Sequence, residues 1–301
     1  MDLILEPGRT EKNYWGDLWR YRELFIILAW RDITVRYKQT VVGVAWAVIR
    51  PLLTTIVFTV VFSKIAKLPA PAAVPYALLV MAANLPWQFF STAMSEASNS
   101  LISNSNLISK IYFPRLIVPA GSVITSFVDF LITLGLMALL MAWYQFVPDW
   151  RLLALPLFTL LAFGASFGIG LWLCALNVEY RDFRYIVPFI VQFGFFLSPV
   201  GFSTSRVPEI WLWHGLYVPA RLLYSLNPMV GVIDGFRWSL LRGHTGVTDA
   251  AQATATQAAQ NAVELGLWWP GIQMSIVLTA ALCLSGIWYF RKMERTFADV
   301  I

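Results

Sequence analysis

Charge is the scarcest thing in this chain. Of its 301 residues, 22 are Lys or Arg and 17 are Asp or Glu, 13% in all, where an ordinary soluble domain carries about 25%. Histidine and cysteine are nearly missing, with two of each. An apolar fraction of 58% with so little charge cannot be hidden inside one soluble core, so the chain reads as an all-α polytopic membrane protein. No segment outside the apolar runs is large enough to present a basic face, which excludes nucleic acid as a partner. Cys174 and Cys283 lie within apolar segments. They form neither a disulfide framework nor a zinc spacing and read as small packing residues. His214 and His244 fall in irregular segments and read as structural. There is no G-x-x-x-x-G-K-S/T, so this chain holds no ATP in a phosphate loop, and no H-E-x-x-H, G-x-S-x-G or paired carboxylates. The expectation is a non-enzyme with no cofactor or metal of its own. The polar residues Glu6, Arg9, Glu11 and Lys12 predict no cleavable signal peptide.

What is present is apolar length, organised around Trp30–Phe62 (WRDITVRYKQTVVGVAWAVIRPLLTTIVFTVVF). Its first part sets Arg31, Arg36 and Lys38 among aromatics; its second part is almost wholly apolar. A basic collar feeding into about 20 apolar residues is how a chain enters a bilayer from the cytoplasmic side. Ahead of it, residues 13–30 predict an N-terminal amphipathic helix lying in the membrane interface. Leu18, Tyr21, Phe25 and Leu28 share one side at helical spacing, Arg20 and Glu23 the other, and Ile27 breaks the pattern. Trp15, Trp19 and Trp30 suit the headgroup level.

Six transmembrane helices are expected, over 41–62, 76–95, 116–147, 152–176, 185–202 and 267–290. Arg50 sits inside the first, where it must snorkel, pair or face water. Asn84, Pro86 and Gln88 interrupt the second, and Pro86 predicts a kink or a break. A polar run follows, in which Ser103 or Ser105 is positioned to cap a short helix through Lys110, stopped by Pro114. Gly164, Gly168 and Gly170 give the fourth span a small face on which another helix can approach closely. Residues 203–242 are apolar and aromatic, yet Pro208, Gly215, Pro219, Asn227, Pro228 and Gly231 cut them into pieces too short to span. They predict re-entrant gate helices between spans five and six. With both termini cytoplasmic, and Arg50 left out, the inside segments carry fourteen Lys and Arg and the outside segments seven.

Asp129 is the one acid deep in a span. A lone acid is thin material for a proton relay, and an interhelical hydrogen bond is the expected role. With no nucleotide site and no relay, the work of transport must come from a partner. The loop at 96–115 is long enough to dock one, or to be a solvated connector.

Four blocks carry a family resemblance: RYRELFIILAWRDITVRYKQTVVGVAWAVIRPLLTTIVFTVVFSK (20–64), SNSNLISKIYFPRLIVPA (103–120), NVEYRDFRYIVPFIVQFGFFLSPV (177–200) and YSLNPMVGVIDGFRWSLL (224–241). Together they resemble the membrane subunit of bacterial ABC exporters for O-antigen, capsule or teichoic acid, and the O-antigen branch in particular. The resemblance implies two copies of this subunit with two copies of a separate ABC ATPase that binds ATP and Mg, in the bacterial inner membrane and its lipid. It implies a cargo polymer on undecaprenyl pyrophosphate and a channel between the copies lined by the first and fifth spans. It also implies a coupling helix within 103–115 that meets the ATPase, through Asn104, Asn106, Leu107, Ile108, Lys110 and Arg115. Trp46, Phe58, Phe193, Phe195 and Phe196 offer flat faces to sugar rings, or else face lipid or core. Arg31, Arg36, Lys38 and Arg50 meet the pyrophosphate as cationic donors, or else only anchor the chain. A permease for a drug or small lipid fits the same pattern. A secondary transporter would show internal inverted repeats, which are not visible. A membrane glycosyl- or acyltransferase would need clustered acids or histidines at the interface, which are absent.

Overall fold

A computed structural model describes residues 14–38, 41–67, 74–180, 182–213, 216–242, 244–245, 265–294 and 297. Arg9, Lys12, Arg181, His214 and most of the polar loop after Arg242 lie outside the described residues. Helices α1 (Tyr14–Arg20) and α2 (Arg22–Lys38) meet at Tyr21. Helix α3 (Val41–Phe58) runs into a π-helical stretch, Thr59–Ile65. Then come α4 (Tyr76–Ser103), α5 (Ser105–Ile108), α6 (Ile117–Trp143), α7 (Leu155–Glu179), α8 (Phe183–Leu197), α9 (Ala220–Tyr224), α10 (Pro228–Leu241) and α11 (Trp269–Met293). Among the described residues, four stretches are long and apolar enough to cross a membrane: Ala45–Ile65, Ile117–Trp143, Trp150–Glu179 and Trp269–Met293.

The other two expected spans differ for separate reasons. Helix α4 has 28 residues, about 42 Å at 1.5 Å per residue, but Asn84, Gln88 and a Ser/Asn-rich end dilute its hydropathy. Helix α8 has 15 residues, about 22 Å, against a hydrocarbon core of about 30 Å. Ser198 and Pro199 end it early, because Pro pushes the residue before it out of helical geometry.

Helix α4 is the axis of the fold. Between Leu78 and Leu101 it is buried on nearly every side, packed among α6, α7 and α10. It continues through Pro86 as one helix, so of the expected kink or break the break does not occur. An internal Pro costs about 3 kcal/mol in a helix, and here Leu85, Trp87, Phe89 and Phe90 around it are all buried, so close packing against the neighbouring helices holds it in place. The glycines of α7 do the close packing the sequence predicts. A Cβ on Gly170 would lie 2.8 Å from Ala97 of α4. On the facing side, a Cβ on Gly286 of α11 would lie 2.3 Å from the Gly168 carbonyl oxygen.

The stretch predicted as gate helices is mixed. Residues 211–218 form an antiparallel ribbon, β2 (Trp211–Trp213) with β3 (Leu216–Val218), in the register Trp211↔Val218 and Leu212↔Tyr217. Aromatic and β-branched residues bracketed by Pro208 and Pro219 favour strand over helix. A second ribbon pairs β1 (Phe146–Val147) with β4 (His244–Thr245), so His244 has a place in a backbone ladder. Helix α10, by contrast, is buried along its length. Asn227 caps it by accepting from the Met229 N–H at 3.0 Å, with Pro228 at the first position. Gly235 lets the Phe158 ring sit against its backbone, where a Cβ would come within 2.2 Å.

Among the described residues, two apolar clusters hold the chain together. The larger surrounds α4 and α10. The smaller gathers Leu28, Leu101, Ile108, Phe113, Phe290 and Phe297 at the end of the molecule where α2 and the 104–116 loop lie. Leu18, Tyr21 and Phe25 pack against this second cluster, whereas Ile26, Ile27 and Trp30 are exposed.

Candidate functional site

Arg36, the centre of the first group of candidate residues, lies where α2 packs against α3 and α6. Arg36 Nη2 lies 2.9 Å from Asp129 Oδ2, and its Nη1 lies 3.6 Å from Glu96 Oε1. The Tyr37 hydroxyl donates to Asp129 Oδ1. The deep acid of α6 is thus matched across helices by α2, as the sequence suggests. Burial, then the Asp129 carboxylate, push the Tyr37 phenol above its ordinary value, so it stays a donor. Replacing Asp129 with Ala should remove charged hydrogen bonds worth about 1–3 kcal/mol in all and lower the melting temperature of the purified protein by several degrees. Asn, which keeps an acceptor for Tyr37, should recover part of that shift in a thermal assay.

A cavity of about 260 Å³ opens beside this pair, lined by Arg36, Trp46, Arg50, Gln88, Thr92 and Asp129. Among the described residues the Arg50 guanidinium meets no acid or side-chain acceptor. Arg31 faces a separate cleft of about 660 Å³ and donates to Asp32 Oδ1 and Asn104 Oδ1, each at 2.7 Å. Lys38 is exposed and lines neither space. Of the four cations expected at a lipid headgroup, Arg36 shares one cavity with Arg50 and the neighbouring cleft with Arg31, and only Lys38 stands apart.

The second group lies on α3 and α8, which both pack on α4 and touch each other through Phe58 and Phe195. Phe58 and Phe195 meet edge to face at 5.2 Å, and Phe195 also lies 6.1 Å from Trp87. These two rings turn inward and pack. Trp46, Phe193 and Phe196 turn outward, at 60%, 63% and 69% exposed. Leu53, Ile56 and Phe189 extend the same kind of surface. The five aromatics expected on one wall therefore divide into three exposed and two structural.

The third group is the loop after α4. Its helix is a single turn, Ser105–Ile108, shorter than expected, and neither Ser103 nor Ser105 caps it. Asn104 stands at the N-cap and donates from Nδ2 back to the Ser100 carbonyl at 2.9 Å. Ile108 is buried and Leu107 packs beside it, so these two do not form an outward ridge. Asn106 and Lys110 are exposed. Arg115 turns toward its own chain, with its N–H 2.8 Å from Glu294 Oε1.

One residue with a large role has a weak sequence signal. By position alone Arg237 belongs with the outside charges, yet it is buried at 2% exposed. It donates to the carbonyls of Phe202 at 2.6 Å, Val200 at 3.0 Å and Leu79 at 3.4 Å. Tyr76 donates to Gly201 O at 2.6 Å, Thr204 to Asp234 Oδ1 at 2.7 Å and Asn227 to Ser198 Oγ at 2.8 Å. The turn that follows α8 is pinned to α4 and α10 by these bonds. The signal is Asp234 and Arg237, three residues apart in an otherwise apolar run.

The model of the ABC-2 type transporter family matches residues 23–241. The chain belongs to the ABC-2 type transporter membrane family. The matched stretch runs from α2 to the last residue of α10, so it contains the cavity, the exposed aromatic face, the loop and the pinned turn, and it leaves out α11. Among proteins similar to this chain is the O-antigen export system permease protein RfbA of Myxococcus xanthus, 27% identical over 222 residues, 73% of this chain and 81% of that protein. An RfbA permease of Klebsiella pneumoniae is 24% identical over 280 residues, 93% of this chain and 95% of its own length. This ABC-2 permease is thus a multi-pass membrane subunit of an ABC transporter, and its family implies a separate ATPase partner.

Proposed function

We propose that this ABC-2 permease exports a lipid-linked, O-antigen-like polysaccharide across the bacterial inner membrane, as the channel-forming subunit of a complex of two copies with two ABC ATPase subunits. The observation that carries this is the set of large exposed aromatic side chains on α3 and α8. A monomer with Trp46, Phe193 and Phe196 outward offers half of a passage in which rings lie flat on sugar faces, and a second copy closes it. A long polymer does not fit in a pocket of about 300–1,000 Å³, so the passage must be continuous. Arg36 is paired with Asp129 and Glu96, which leaves the Arg50 guanidinium as the cation of this cavity that meets no acid among the described residues. A guanidinium so placed suits the pyrophosphate that links polymer to lipid.

In this arrangement α3, α4, α6, α7, α8 and α11 cross the membrane, α8 being completed by the pinned turn. Helices α1 and α2 lie in the interface, α10 is re-entrant, and both termini are cytoplasmic by the fourteen-to-seven charge count. ATP and Mg bind to the partner. The names of the similar proteins support the cargo.

A strain that makes the lipid-linked polymer but lacks its own exporter tests the proposal. Supplying this chain with its ATPase should restore surface polymer. Supplying it with an ATPase unable to hydrolyse ATP should not. No surface polymer with both intact proteins present at normal abundance would overturn the proposal.

A further inference from the structure

We propose that the groove between α6 and α7 binds an anionic phospholipid of the outer leaflet, with one acyl chain in the groove and the phosphate against Arg151 and Arg242. The leaflet rests on the orientation proposed above. The site itself needs only that α6 and α7 cross the bilayer, whatever the permease carries.

The groove has a built floor and a volume of about 380 Å³. Phe127 and Phe130 of α6 stack at 5.7 Å, and both meet Phe89 of α4, at 5.9 and 5.3 Å. Phe163 of α7 completes the floor, 6.3 Å from the same ring. Leu131 and Leu160 form the walls and are 49% and 66% exposed, so the groove opens toward whatever surrounds the two spans. Among the described lining residues only Thr159 is polar, and its hydroxyl donates to the Leu155 carbonyl at 2.9 Å. A space with no polar group left to hold water stays dry and takes apolar guests, and inside a bilayer the guest at hand is an acyl chain. The exposed aromatics assigned to the second copy lie on α3 and α8 and do not line this groove.

Apolar contact alone does not choose a lipid, because one tail is as apolar as the next. The choice lies in the charge at the outer end. A 3-10 turn, Trp150–Ala154, runs directly into α7 and packs against α10, and it sets Arg151 one turn ahead of Leu155, the first groove residue of α7. The Arg151 guanidinium lies over the rings of Trp150 and Trp238, at 5.8 and 5.4 Å. A guanidinium has five N–H donors, yet this one meets only Asp149, with Nη1 3.7 Å from Oδ2, and its Nε has no acceptor among the described residues. Asp149 in turn accepts from the Trp150 N–H at 2.7 Å. Arg242, which caps the end of α10, is held below its ordinary pKa by burial and then by the Arg151 guanidinium, so the two cations are neighbours. A phosphate beside them supplies charged acceptors and relieves their repulsion. Trp143 and Trp150 are both exposed and mark the headgroup level at this end, with the groove on its hydrocarbon side.

The test uses the full chain, purified in detergent and stripped of lipid, then titrated with phosphatidylglycerol or with phosphatidylcholine of the same acyl chains and read by native mass spectrometry. Phosphatidylglycerol should bind at least tenfold tighter. Arg151→Gln with Arg242→Gln should bring the two lipids within twofold of each other at normal recovery. Phosphatidylglycerol with a photoreactive diazirine in one acyl chain should label peptides covering residues 124–134 and 155–163, and Leu131→Trp, which narrows the groove, should cut that labelling at least fivefold. Should the double Gln variant fail to accumulate, the titration and the labelling of the parent decide. Equal affinity of the parent for the two lipids overturns the headgroup contact, as does a preference that survives the double variant. Labelling spread evenly over all spans overturns the groove. Labelling found in a dissociated monomer but lost in a dimer assigns the groove to a second copy and overturns the lipid. None of these readouts involves transport, so their failure leaves the export proposal standing, and a failure of export leaves this site standing.

Discussion

Changing Phe193 and Phe196 together to Ala should stop surface polymer display, with lipid-linked polymer accumulating inside and the permease still at normal abundance. Both rings are mostly exposed and sit three residues apart on one face of α8, so their removal opens no cavity in the monomer. The folding cost is small for that reason. A ring against a sugar face contributes apolar contact, at about 25 cal/mol per Å² buried. Because a polymer presents sugar after sugar to the same rings, the loss recurs at each step of passage. We expect at least a tenfold fall in surface polymer by immunoblot, with ATPase binding intact. Phe195→Ala provides the contrast. That ring packs on Phe58 and Trp87, and its loss should lower permease abundance before it alters transport. Normal surface polymer from the double variant at normal abundance would make Phe193 and Phe196 lipid-facing and move the passage elsewhere.

Replacing Arg237 with Met should leave almost no folded protein. The guanidinium serves three backbone carbonyls and is 2% exposed. Met fills the volume but donates nothing, so the carbonyls of Leu79, Val200 and Phe202 lose their partner. Each orphaned buried acceptor costs about 1–3 kcal/mol, which together reaches the scale of a protein's whole stability, about 5–15 kcal/mol. Lys should rescue little, since one ammonium cannot reproduce a planar fork of five donors. Detergent-extracted, monodisperse permease should fall below a tenth of the parent level. Recovery near the parent level would show that the turn after α8 holds without its arginine.

The features legible in the sequence are those set by local pattern. Apolar length marks four of the spans. Leu18, Tyr21, Phe25 and Leu28 share a face by spacing alone, and that face packs on the second cluster. Gly168 is where a helix can come close, and α11 does. An acid deep in a span needs a partner, and Asp129 has Arg36 and Tyr37. What was not legible depends on contacts far apart in sequence. Pro86 breaks a helix in isolation but not one enclosed by three others. Ile108 in a polar loop looks like an outward anchor until Phe113, Phe290 and Phe297 are seen to bury it. Phe195 and Phe196 are neighbours in sequence and differ in fate because only Phe195 turns toward Trp87 of α4 and Phe58 of α3. Arg237 reads as an ordinary loop-side charge until the turn at 198–203 folds back over it. The ribbon at 211–218 shows the limit of hydropathy, which tells that a short segment is apolar but not whether it is helix or strand.

The most direct measurement of the central claim uses inverted inner-membrane vesicles carrying this chain and its ATPase. Lipid-linked polysaccharide is presented on the outer, formerly cytoplasmic, face, and a glycosidase is added after incubation. With ATP and Mg the polymer should become protected from the enzyme over time, and protection should be absent without ATP and with the Phe193, Phe196 double variant. Polymer that stays fully digestible in the presence of ATP, or that becomes protected equally without it, would contradict an ATP-driven polysaccharide channel.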